Sequence, residues 1–529
     1  MKQPADFIVW NARIFTADST LIDANALAVK DGKFVGIGSN EEIKGKFHAE
    51  KIIDLQGASL YPGFMDAHCH FKGLGEMMYR WADLRGCRSM EEVVDRLQEF
   101  RKTHKAEWLL GRGWDQNLFP GGQFPDNQLL NKAFPDVPVY LVRIDGHAAL
   151  VSDEALRRAG LERKTQQDGG QMMIAGGKPT GVLIDNAMEP VRSLIPAMSR
   201  QELEGSLLTA QEECLRNGLT AVCDAGLDAQ VIRVMEEMQR EGKLKIRVSA
   251  MLDPSEETLH EFLPQGKYFN GRLSVTAIKL YADGALGSRG ALLLRPYSDF
   301  PQTYGIAVTS PDEIRRICQR ALEAGYQVCT HAIGDSANRL VLNIYGEFLK
   351  GPNDLRWRIE HAQVVDPDDL SKFGKFSVIP SVQPTHATSD MSWAAARLGD
   401  RIRHAYAYQN LLQQNGWMPL GTDFPIEEVN PFLTFHAAVF RTDSEGYPRG
   451  GFQPENALSR DQTLWGMTLW AARASFLENE IGSITQGKKA DFVVLDTDLR
   501  TASREEVLKA RILETWIEGE CVFKRASND

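Results

Sequence analysis

The chain has 529 residues, 43% of them hydrophobic and 25% charged, with a formal net charge of −11. That is a globular composition, long enough for a large core and at least one further domain. An acidic balance with no basic run excludes a phosphate-neutralising surface, so nucleic acid is not an expected partner, and no run of about 18 apolar residues marks a membrane span.

Residues 1–20 lack a basic segment leading into an apolar one, so no secretory leader is read and a cytoplasmic location is expected. The seven cysteines are dispersed and form no C-x-x-C pair, a usage that fits reduced thiols in a cytosolic enzyme. Any metal would therefore rest on histidine and carboxylate.

In chain order, Ala5 to Asp18 (ADFIVWNARIFTAD) is a β-branched and aromatic run that reads as strand, and ADFVVLDTD (Ala490 to Asp498) repeats it near the other end. The two ends predict one composite β-sandwich from residues 1–60 and 481–529, with a main domain over 61–480 between them. Leu60 to His70 opens that domain as a strand. From Gly73 to Met198 the chain is far longer than a βα connection needs. It holds a helix-like stretch, Met90 to Phe100, and a glycine-rich hairpin candidate, Gly169 to Ile184, so an inserted subdomain over about 74–198 is expected at the mouth of the main domain.

Helix–strand units follow. Ser199 and Glu202 cap a helix that Asn217-Gly218 ends, and Thr220 to Asp224 makes a strand. Ile246 to Leu252 and Val275 to Tyr281 are further strands. Ser310 and Glu313 form a capping box with Pro311 at the first helical position. Ile314, Ile317, Cys318, Ala321 and Leu322 then line one buried face. Gly325 stops this helix, and Gln327 to His331 is the next strand. Arg356 to His361, Phe376 to Ser381 and Met418 to Asp423 complete a set of eight. Eight such units predict an α/β fold of the (β/α)8 TIM-barrel type, with its active site at the carboxyl ends of the strands.

Polar residues gather at those ends. In PGFMDAHCH, residues two apart share a strand face, so Asp66, His68 and His70 point together while Cys69 points away. His68 and His70 can reach one metal, and Asp66 lies a layer below, suited to supporting them. Lys279 stands inside an apolar strand, where its charge must be paired, lost or modified. His331, His361 and Asp423 end later strands. The order His-x-His, Lys, His, His, Asp falls on the first, fourth, fifth, sixth and eighth strands.

The motifs PGFMDAHCH, IKLYADGALGSR, THAIGD, RIEHAQ and GTDFP resemble the amidohydrolase superfamily, specifically amidohydrolase family 3, whose members include N-substituted formamide deformylase-like metal-dependent hydrolases. LRGCRS, GRGWDQNLFP, RIDGHAAL, KPTGVL and IGSITQGKKADFVVLD extend the resemblance over nearly the whole chain. It implies that His68 and His70 bind the more buried metal and His331 and His361 the more exposed one. Lys279 would be an N6-carboxylysine bridging the two, and Asp423 a ligand and the catalytic aspartate. One or two divalent ions per chain are implied, and nitrogen and oxygen donors without thiolate suit zinc. The expected activity is hydrolysis of a C–N bond other than a peptide bond, in an amide, formamide or related small molecule, by metal-activated hydroxide. Trp114, Asp115, Asp145 and His147 in the insertion, with Arg289 and His386 beyond the fourth and seventh strands, are the candidate substrate contacts. The resemblance also admits a homodimer.

Two other readings stay open. A mononuclear deaminase would use the same barrel, but deaminases of the superfamily lack the bridging lysine and carry a glutamate near the fifth-strand histidine, where HAIGDSAN has Asp335. A non-catalytic regulatory scaffold would have no use for six retained ligand positions.

Overall fold

The structure is a computed structural model that describes residues 2–21, 23–143, 148–161 and 170–526. It divides into two compact units, one made of Met1–Phe71 with Gln211–Asp529, the other of Lys72–Ala210.

The first unit is built on a parallel sheet of β1 (Phe64–Cys69), β2 (Leu219–Leu227), β3 (Arg247–Leu252), β4 (Leu273–Tyr281), β5 (Gln327–Ala332), β6 (Arg358–His361) and β7 (Ile379–Ser381), paired in that order. Each is a short run of buried residues, as strands covered on both faces require. The eighth stave, residues 418–424, has no ladder of its own beyond a parallel bridge between Val382 and Leu420. It nevertheless closes the barrel. The Gly421 amide donates to the Val382 carbonyl at 3.1 Å, while Ala67 donates to Leu420 at 3.1 Å and Asp423 to His68 at 2.8 Å. Small residues and sulfur fill the interior: Met65, Ala67, Ala221, Cys223, Met251, Ala277 and Cys329.

Helices cross over between the strands where capping residues start them. Ser310 accepts from the Glu313 amide and starts helix Pro311–Ala324, and Gly325 ends it in the left-handed region at φ 73°. Ser199 and Glu202 bond each other's backbone amides at the head of helix Arg200–Arg216.

The sequence run Leu60 to His70 is two strands, not one. Ser59–Pro62 belongs to a six-stranded sheet with Phe492–Leu495 as its antiparallel neighbour, and only the part after Gly63 enters the barrel. That sheet joins strands from both chain ends, and a four-stranded sheet of N-terminal strands packs with it around Phe7, Leu27, Phe34, Leu60, Phe492 and Trp516.

The inserted unit is a six-stranded mixed sheet in the order Trp81–Asp83, Leu109–Trp114, Val139–Arg143, Ala148–Val151, Lys178–Asp185, Gly170–Ala175. Its first three strands are parallel and the rest antiparallel. Alternate residues serve opposite faces: Leu109, Leu141, Leu150 and Val182 enter one core, and Leu110, Tyr140, Ala149 and Leu183 the other. Among the described residues, no helix is long and apolar enough to cross a membrane.

Candidate metal centre

Six side chains expected to act together do converge at the carboxyl ends of the barrel strands. His68 comes from β1 and His70 from the residue after it. His68 is fully buried, and its Nε2 lies 3.5 Å from Asp423 Oδ1; His70 Nε2 lies 3.3 Å from the same oxygen. Donor atoms of His68, His70 and Asp423 all fall within 4.8 Å of one another, and so do those of His361, His386 and Asp423. The His331 ring is 4.5 Å from that of His361, and Lys279 Nζ is 3.3 Å from His68 Nε2.

The backbone is specialised where these groups are presented. Asp423 and His361 are in the left-handed region, at φ 64° and 72°, a conformation that costs about 1–3 kcal/mol outside glycine and collects at functional sites. Gly421 allows the eighth stave to touch β1. A Cβ there would lie 2.6 Å from the His68 amide nitrogen and 2.8 Å from Asp66 Oδ1. Asp66 does support the site, but through the backbone: its carboxylate accepts from the amides of His68 and Thr422 and from the Thr422 hydroxyl. Burial pushes Asp66 up to about 6. Cys69 turns away and donates to the Cys223 carbonyl.

The electrostatics favour neutral imidazoles at His331 and His361 beside an anionic oxygen, whereas at His68 burial and Lys279 pull downward but Glu360 and Asp423 raise it above the ordinary histidine value. Burial, with the Lys279 charge beside it, takes His331 down to about 3. Burial likewise holds His361 well below the ordinary histidine value. Burial alone would raise Asp423, but His68 and His70 at its side hold it well below the usual carboxylate range. Burial lowers Lys279, which forms no ion pair among the described residues. Asp423 Oδ1, His386 Nε2 and Glu360 Oε1 are among the buried polar atoms with no hydrogen-bond partner of acceptable geometry. Imidazole and carboxylate donors within 4.8 Å of one another, with no thiolate among them, fit a divalent ion.

Sequence reasoning placed His386 among substrate contacts. In the structure it stands on helix Pro384–Asp390, stacked on His361 at 5.8 Å, with Nε2 3.8 Å from Asp423 Oδ2, which puts it among the candidate metal donors. His331 joins neither close triad, because its Nε2 faces Gly284 O at 3.5 Å and Asp283 Oδ1 at 3.6 Å. Arg289 is engaged elsewhere, 2.9 Å from Asp299, which also pairs with Arg397. Trp114 is a core residue of the inserted unit, 1% exposed, its indole N–H donating to Leu141 O at 2.8 Å. This burial leaves it no face for a substrate. Asp115 pairs with Arg143 at 2.9 Å in that unit. Asp145 and His147 lie outside the described residues.

One residue was missed. Glu360, completely buried, lies 2.7 Å from His68 Nδ1 and 2.9 Å from Arg358 Nε. Burial would raise it, but Arg358 and His68 bring it down to about 2. The signal was present in RIEHAQ, where a charged pair brackets a strand isoleucine, a pattern that otherwise reads as ordinary strand alternation.

The chain matches the Amidohydrolase family over residues 51–523. It is 32% identical to Protein LONG AFTER FAR-RED 3 of Arabidopsis thaliana, over 98% of this chain and 92% of that one. It is 23% identical to N-substituted formamide deformylase of Arthrobacter pascens over the full length of both. An uncharacterized metal-dependent hydrolase of Pyrococcus horikoshii OT3 superposes with a TM-score of 0.80 at 30% identity, covering 94% of this chain and 99% of the other.

Proposed function

The chain belongs to the amidohydrolase family, and from that premise we propose that it hydrolyses a C–N bond, other than a peptide bond, in a small amide, formamide or related substrate. The observation that carries this reading is the convergence of two close donor groups, His68 and His70 with Asp423 and His361 and His386 with the same Asp423. Likeness to a formamide deformylase over the full chain supports the choice of bond.

His68, His70 and Asp423 would hold one divalent ion, and His361 and His386, with Asp423, a second. Such an ion acidifies water and polarises a carbonyl oxygen. The chain's own groups supply the rest. Asp423, kept ionised by its two histidine neighbours, accepts a proton on a carboxylate oxygen and delivers it to the departing nitrogen. Burial keeps His331 and His361 neutral and therefore able to donate lone pairs. Lys279 is a buried amine without a carboxylate ion-pair partner among the described residues, and carboxylation to N6-carboxylysine would turn it into an anionic ligand. We place the enzyme in the cytoplasm, acting on a small-molecule substrate.

The test is metal analysis joined to a screen of N-formyl, N-acyl and cyclic amides, with and without bicarbonate. About two ions per chain and turnover that rises with bicarbonate are expected. One ion with release of ammonia from an aminated ring would favour a deaminase, and a metal-free, inert protein would favour a scaffold. Asp423→Asn keeps an oxygen donor, so metal content should stay near that of the parent while kcat falls about 10²–10⁴-fold. Parent-like turnover in that variant would remove Asp423 from the proton-transfer role.

A further inference from the structure

Beneath the histidine cluster lies an ion pair that the proposed chemistry does not use. Arg358 and Glu360 stand two apart on β6 and so share one face of the strand. The Arg358 Nε is 2.9 Å from Glu360 Oε1, an ion-pair contact without hydrogen-bond geometry, and both side chains have 1% exposure or less. Arg358 is walled in further by the Ala67 carbonyl at 3.3 Å, Cys329 Sγ at 3.2 Å and Met251 Sδ at 3.5 Å. Stability does not explain such a pair, since replacing a buried ion pair by apolar residues is often neutral or stabilising.

The second Glu360 oxygen explains it. Oε2 lies 2.7 Å from His68 Nδ1, and a carboxylate paired to guanidinium can only accept. A ring proton of His68 is thereby placed on Nδ1, and in the neutral ring, the form that binds a metal, Nε2 keeps its lone pair. That lone pair faces the cluster, with Lys279 Nζ at 3.3 Å and Asp423 Oδ1 at 3.5 Å. The backbone of β6 is adapted to this use. Consecutive strand residues point to opposite faces, yet Glu360 and His361 both reach His68. Left-handed φ angles at His361 (72°) and Ala362 (41°) break the alternation, and the His361 ring comes back to 4.9 Å from that of His68.

We propose that Glu360, held in place by Arg358, is a positioning residue that locks His68 as an Nε2 metal donor. The inference rests on the reading of the cluster as a metal centre and not on which bond the enzyme cleaves.

The double variant Arg358→Met/Glu360→Leu tests it, because both charges go together and no orphan ion remains. Its thermal midpoint should stay near that of the parent, while zinc affinity, measured by chelator competition without substrate, should fall about 10- to 100-fold. The metal-free parent, labelled with nitrogen-15 histidine and compared with His68→Gln to identify the resonances, should show His68 protonated at Nδ1 and bare at Nε2. Parent-like zinc affinity in a folded double variant, or a His68 proton on Nε2, overturns the proposal. If the double variant does not fold, the parent's tautomer alone decides. A parent that binds no zinc overturns the metal-centre reading, and the proposal with it, so the two failures are told apart by the parent's own titration.

Discussion

Gly421 and Trp114 show how differently two motif residues can matter. At Gly421 the closing stave approaches β1 so closely that a methyl group would press on the His68 amide and the Asp66 carboxylate. Gly421→Ala should cost about 1–3 kcal/mol by overpacking, read by urea denaturation, and should weaken metal binding because His68 moves with its amide. Trp114 predicts the opposite division. Its ring is packed and its N–H is bonded inside the inserted unit, so Trp114→Ala should cost about 3–5 kcal/mol, while Trp114→Phe should leave KM unchanged. A raised KM at parent-like stability would return Trp114 to substrate contact. At this scale the convergence of His68, His70, His361 and Asp423 was legible because they terminate recognisable strands. Glu360 and His386 were not: one imitates strand alternation, and the other sits in a short helix whose direction no spacing rule reveals.

Among the elements, β3 carries the join between barrel and sandwich. Arg247 at its start binds Asp491 and Glu518, which flank the C-terminal strands, and Arg272 and Lys489 also reach Glu518. Burial opposes ionisation of Glu518, but Arg247 and Arg272 bring it down to about 2, below an unfolded glutamate at about 4.3. The stabilisation is therefore full above roughly pH 4.3 and is lost as pH falls toward 2. The stability gap between the parent and Glu518→Gln should accordingly be constant from neutral pH to roughly 5 and then close on acidification; a gap that widens would contradict the pairing. Seven staves were readable as short apolar runs behind capped helices. The eighth was readable from GTDFP, although its bonds to both neighbours form no continuous ladder. The split at Gly63 was not, since Ser59–Pro62 and β1 are equally apolar and only their partners distinguish them.

For the molecule as a whole, two compact units and one candidate metal cluster predict unequal responses to chelation. Among the described residues, all of the candidate metal donors belong to the unit of Met1–Phe71 and Gln211–Asp529. Metal binding at a hundredfold excess over Kd adds about 2.7 kcal/mol to the state that holds it. Treatment with EDTA should lower the calorimetric transition of that unit and leave the transition of Lys72–Ala210 in place; equal shifts in both would argue against a metal confined to the barrel. The general plan of barrel, sandwich and insertion was legible because each has its own periodicity. The strand order inside the insertion was not, because a mixed sheet buried on both faces carries no alternation to betray its neighbours.

The sheet shared by the two chain ends also sets a timetable for biosynthesis. Ser59–Pro62 waits for Phe492–Leu495, and the Tyr61 hydroxyl waits for Asp498, 437 residues later in the chain. At ribosomal speeds of about 5–20 residues per second, the edge of Ser59–Pro62 that faces Phe492–Leu495 spends roughly 20–90 s unpaired, while its other edge can already hold Arg13–Phe15. During that interval an apolar strand edge is open to any other nascent chain. The last strands to be made therefore act as a seal on that edge.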